Sequence, residues 1–130
     1  MTLSTSNANA LRAYGLATVL CAVFSTIYEC FSHGVISWWM VGLCGFPLLL
    51  GVMPALACGI LGVRVSHVAR QLWACGVMTL VMGSCLAGVL EIYGTTSVLV
   101  RPYLPLGLVL LALATTAQVL VRTDDGRARA

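Results

Sequence analysis

Gln71 to Leu90 reads QLWACGVMTLVMGSCLAGVL, twenty residues without a charge, held between Arg70 and Glu91. A helix needs about 20 predominantly apolar residues to cross a bilayer, because each residue rises about 1.5 Å and the hydrocarbon is about 30 Å thick. Working outward, Ala13 to Tyr28 lies uncharged between Arg12 and Glu29, and Pro102 to Val121 lies uncharged between Arg101 and Arg122. A longer uncharged stretch separates His33 from Arg64; its first residues, Gly34 to Ser37, read as a turn and Trp38 to Leu61 as a helix. The pattern predicts an all-α polytopic membrane protein, a four-helix up-down transmembrane bundle with helices at about 11–31, 38–61, 71–91 and 102–121. The membrane domain would cover 11–122. Residues 1–10 and the charged tail 123–130 are expected to be mobile and cytoplasmic.

Composition excludes the alternative of one soluble domain. Of the 130 residues 60% are hydrophobic and 8% are charged, against about 25% charged in an ordinary soluble domain, so too little polar surface exists to cover a water-facing exterior. The first apolar segment is read as a retained helix and not a removed leader, because Ser25 to Phe31 offers no small-x-small cleavage pattern.

Orientation follows from the arginines, since loops kept in the cytoplasm carry the positive excess. With alternating helices, Arg12, Arg64, Arg70, Arg122, Arg127 and Arg129 share one side and Arg101 alone takes the other; there is no lysine. Both termini are therefore expected in the cytoplasm, and Ser32 and Thr96 outside. Tyr28, Phe31, Trp38, Trp39, Tyr93 and Tyr103 suit an outer aromatic belt, with Tyr14 and Trp73 marking the inner boundary.

Small residues recur at four-residue spacing: Gly51, Ala55 and Gly59 on the second helix, Gly83 with Ala87 and Ser84 with Gly88 on the third. In lipid such stripes let backbones approach closely, so these helices are expected to pack through them, within the chain or between chains, and a bulky residue at Ala55 should force them apart. Pro47 and Pro54 should kink the second helix and leave carbonyls for neighbouring groups to satisfy. Pro102 and Pro105 open the fourth, where a missing amide hydrogen costs little.

Glu29, His33 and Glu91 form the polar constellation of most interest. Glu29 and His33 are one helical turn apart, and Glu91 ends a helix of the same direction at the same depth. Such a set suits a salt-linked pair, a proton relay or a divalent metal site, and two carboxylates in one partly dehydrated place should make His33 hold its proton to higher pH than a free imidazole. The same three groups would equally serve as a water-facing polar rim.

Tyr28 to Val35 (YECFSHGV) and Gly88 to Thr96 (GVLEIYGTT) resemble recurrent segments of small, uncharacterised bacterial four-helix integral membrane proteins. The resemblance spans most of the chain. It implies a bacterial cytoplasmic-membrane protein and carries over no activity, substrate or cofactor.

Sharper chemistries find little footing. His33 and His67 fall at opposite membrane faces, which disfavours a haem held by two histidines. Cys21, Cys30, Cys44, Cys58, Cys75 and Cys85 contain no Cys-x-x-Cys pair and read as small packing residues, though Cys30 and Cys44 share the outer half. Phosphate loops, His-Glu-x-x-His and nucleophile elbows are missing from the sequence. No cofactor is expected, and a net charge of +3 set by topology-fixing arginines points to anionic lipid and away from nucleic acid. The expectation is a non-enzymatic membrane component that packs against a membrane protein or a second copy and carries an external Glu/His cluster. The alternative is a small oligomeric transporter, or a cation- or proton-binding protein, using Glu29, His33 and Glu91.

Overall fold

The uncharged 71–90 stretch lies inside one continuous helix, α3 (His67–Ile92), in the computed structural model, which describes residues 5–31 and 37–129. Helix α1 covers Thr5–Phe31, α2 runs over Trp38–Ile60 and α4 covers Tyr103–Arg129. All four are long and apolar enough to cross a membrane. A single 3-10 turn, Val98–Val100, interrupts the connection from α3 to α4.

Three boundaries lie further out than the charge pattern suggests. α1 already begins at Thr5, α3 at His67, and α4 continues through the charged tail to Arg129. The charged residues therefore do not mark where the helices end. A helix of 27 residues, as α1 and α4 both are, is about 40 Å long, so its ends project beyond a hydrocarbon layer about 30 Å thick. In the tail, Asp124 and Arg127 stand three residues apart, a spacing that favours continued helix.

Helix α2 is the irregular one. Trp38–Leu43 and Gly45–Pro47 lead into a π turn at Leu48–Val52, and Met53–Ile60 resumes the α-helix. The Met53 N–H donates to Leu48 O, five residues back. Pro54 has no N–H, so Leu50 O, four residues before it, lacks its ordinary partner. The Trp73 Nε1–H of α3 supplies the bond at 2.6 Å. Trp73 is therefore more than a boundary marker: it replaces the hydrogen bond that the proline removes.

Two glycines end helices in the left-handed region. Gly62 has φ +62° and Gly94 has φ +70°; just past them, the Val63 N–H donates to Cys58 O at 3.0 Å and the Thr95 N–H to Leu90 O at 2.9 Å. This closure satisfies carbonyls that would otherwise lack donors and stops α2 and α3 cleanly. Gln118 of α4 then ties down the short turn between them, its Oε1 accepting from Ser66 N–H and its Nε2–H donating to Arg64 O, each at 2.9 Å.

Packing is serial: α1 lies on α2, α2 on α3, and α3 on α4, the last pair in the most extensive contact. In α3, 39% of the apolar window is buried, against 6% in α1, which makes α3 the central helix and α1 a peripheral one. Met40, Leu43, Val77, Leu80, Val81 and Leu111 form the buried core at mid-depth.

The small residues work within the chain. A Cβ on Gly76 would lie 3.2 Å from Gly107 O, and a Cβ on Gly107 would lie 3.3 Å from Gly76 O, so α3 and α4 touch backbone to backbone. Gly83 accommodates Tyr103, Gly88 accommodates Met40, and Gly51 accommodates the Tyr14 side chain. The stripe is not uniformly tight: Ala87 is half-buried beside one cavity, Ala55 borders another, and Gly59 is half-buried. A bulky residue at Ala55 would thus meet open space first, and the close approach on α2 sits at Gly51.

Candidate functional site at the glutamate end

A Ser before an apolar run is a helix start, and Ser37 caps α2 with extended backbone, φ −94° and ψ 120°. Its Oγ accepts from Met40 N–H at 3.4 Å, while its O–H donates to Glu91 Oε2 in the last turn of α3. A carboxylate at a helix C-terminus faces the negative end of the dipole, and the Ser37 hydroxyl offsets that cost while fixing the carboxylate's position. Two further serines hold the same turn of α2. Ser25 of α1 donates to Met40 O at 2.9 Å and Ser84 of α3 donates to Trp39 O at 2.6 Å. All three serines are buried, and each side chain is spent on a partner that lipid could not provide.

Beside this junction a cleft of about 390 Å³ opens between α2, α3 and the α3–α4 connection. Trp39, Phe46, Leu80 and Leu104 give it apolar walls, and Glu91, Thr95, Thr96, Ser97 and Arg101 give it a polar rim. Glu91 and Arg101 are both exposed; among the described residues no ion pair joins them. The cleft can therefore take an apolar group and present one charge of each sign to its polar end.

The sequence-derived constellation is brought together only in part. Glu91 lines the cleft. Glu29 is half-buried on α1 at the same end of the bundle but is not among the cleft's lining residues. His33 lies outside the described residues. Tyr28 of α1 meets Tyr93 just after α3, linking the two helix ends that were expected to converge. Among the described residues no group of three or more His, Cys, Asp or Glu side chains could hold a metal ion. The six cysteines form no disulfide, and Cys44 lies near Cys21.

Sequence reasoning missed Ser37 as a partner of Glu91, having read it as a turn residue. The signal for Ser37 was available in its place ahead of Trp38, Trp39 and Met40. Its pairing with a residue 54 positions away was not.

The mid-depth polar side chains complete the picture. Thr18, Thr26, Thr79, Thr115 and Thr116 each donate to a backbone carbonyl three or four residues earlier in their own helix. Comparison with protein-family models, with curated proteins and with solved structures finds no match to this chain.

Proposed function

We propose that this protein is a non-enzymatic component of a bacterial cytoplasmic membrane, with both termini inside, that binds a membrane partner through the Glu91 cleft. The observation that carries this reading is the fixed carboxylate: Ser37, itself buried, holds Glu91 at the rim of an apolar cleft whose other rim carries Arg101. A group positioned in this way, with an unlike charge nearby, suits recognition of a segment that brings both an apolar side chain and polar or charged groups. The transporter reading through Glu29, His33 and Glu91 has less support, because the hydroxyls of Thr18, Thr26, Thr79, Thr115 and Thr116 are committed to backbone carbonyls and Val77, Leu80 and Leu111 pack together in the buried core.

Orientation is tested in a variant whose six native cysteines are replaced. A membrane-impermeant maleimide applied to intact cells should modify Thr96→Cys and spare Ser66→Cys; modification of the Ser66 position alone reverses the orientation. Partner binding is tested by placing a photo-crosslinking residue at Thr96 in the full chain within native membranes. One discrete protein adduct is expected, and Glu91→Gln should reduce it at unchanged expression. Cation uptake into liposomes that Glu91→Gln abolishes, with no protein adduct in cells, would replace this reading with the transporter.

A further inference from the structure

At the arginine-rich end the bundle is not closed. The serial packing leaves α1 and α4 without extensive contact with each other, and a second cavity of about 360 Å³ lies between the helices at this end. Tyr14 of α1, Ala55 of α2, Trp73 of α3 and Ala114 of α4 all reach it, so it is an opening between helices and not a groove on one of them. Its volume falls in the lower part of the range of small-molecule sites, about 300 to 1,000 Å³.

Its chemistry is lopsided. The walls are apolar apart from a few polar residues: Asn7, Thr115, Gln118 and Arg70. Gln118 is already committed to Arg64 O and Ser66 N–H, and Thr115 to Ala112 O. Arg70 is half-buried, faces the Tyr14 side of the cavity, and is the only charged group in the lining among the described residues. The carboxylates on this side of the chain, Asp124 and Asp125, lie further along α4 than the residues that border the cavity. A half-buried arginine that borders a cavity with no carboxylate among its described lining residues calls for an anion from elsewhere.

We infer that the opening between α1 and α4 is a binding site for an anionic amphiphile, whose carboxylate or phosphate head meets Arg70 and whose chain lies against Tyr14, Trp73 and Ala114. The occupant enters laterally from the bilayer, which supplies chains at that depth and, on the arginine-rich side, anionic heads. This site shares no lining residue with the Glu91 cleft, so either can fail without the other.

Trp73 supplies the readout. The chain has three tryptophans, and the Trp38→Phe, Trp39→Phe variant leaves Trp73 as the sole tryptophan. In mixed micelles of the full chain, phosphatidylglycerol with brominated acyl chains should quench Trp73 at about fivefold lower mole fraction than brominated phosphatidylcholine, as one surface-proximal cationic contact implies. Arg70→Gln should abolish the difference, and Arg70→Lys should retain it. Equal quenching by the two lipids, or a preference unchanged in Arg70→Gln, overturns the inference. If Arg70→Gln does not fold, the preference in the tryptophan variant itself must collapse as salt is added, and a salt-independent preference is the overturning result. Competition by unbrominated oleate or phosphatidylglycerol distinguishes a free fatty acid from a bilayer lipid as the source. Reversal by inorganic phosphate alone would refute a requirement for the chain.

Discussion

Gly107→Leu should destabilise the bundle by about 3 kcal/mol, at the upper end of what overpacking ordinarily costs. The reason lies in what the new side chain meets. A Cβ at this position would be 2.6 Å from Leu80 Cγ and 3.3 Å from Gly76 O. A leucine side chain can rotate, but the Gly76 carbonyl belongs to the backbone of α3, so the helices must separate. Separation then forfeits the closest and most extensive interface in the molecule, and lipid cannot restore those contacts in the same geometry. Gly15→Leu provides the control, because a Cβ there meets nothing within 4 Å. Unfolding in mixed micelles with increasing denaturing detergent reads both. If Gly107→Leu is as stable as Gly15→Leu, α3 and α4 do not touch at this crossing.

Trp73→Phe should cost about 1 to 2 kcal/mol, and most of that cost should vanish in a Pro54→Ala background. Phenylalanine keeps an aromatic ring but removes the donor to Leu50 O, leaving a carbonyl without its partner in a water-poor place. Alanine at position 54 has the N–H that proline lacks and can return the ordinary i→i−4 bond to that same carbonyl. The double-mutant cycle therefore isolates one substitution of donors. Equal costs of Trp73→Phe in the two backgrounds would mean that the indole stabilises by packing alone.

The four spans were legible because charge is so scarce that each arginine or glutamate punctuates the chain. The interruption of α2 was legible in kind from Pro47 and Pro54, but its form was not. A π turn takes one residue more than an α turn, which shifts the following segment by about 100° around the helix axis. Gly51 and Ala55 both border the second cavity, yet only Gly51 lies in close contact with the Tyr14 ring, so four-residue spacing alone did not reveal which of them makes the tight approach. The polar ties were the least legible. Ser37 to Glu91, Ser84 to Trp39 and Gln118 to Arg64 join positions 54, 45 and 54 residues apart. A short polar side chain within a span shows only that it must find a partner, and the three-dimensional arrangement decides which one. Of the expected external constellation, Glu91 lines the cleft. Its partner was hidden by the same problem of distance along the chain.

The serial packing also orders the molecule's biogenesis. Synthesis delivers α1 and α2 first, yet the bond from Ser84 to Trp39 O and the bond from Ser37 to Glu91 both need α3. At about 5 to 20 residues per second, the 45 residues from Trp39 to Ser84 take roughly 2 to 9 s to polymerise. During that interval the nascent hairpin has the Ser25 bond to Met40 O but neither of its ties to α3. Until α3 is made, Ser37 keeps its cap bond from Met40 N–H but lacks its Glu91 acceptor, and Trp39 O lacks the additional Ser84 hydroxyl.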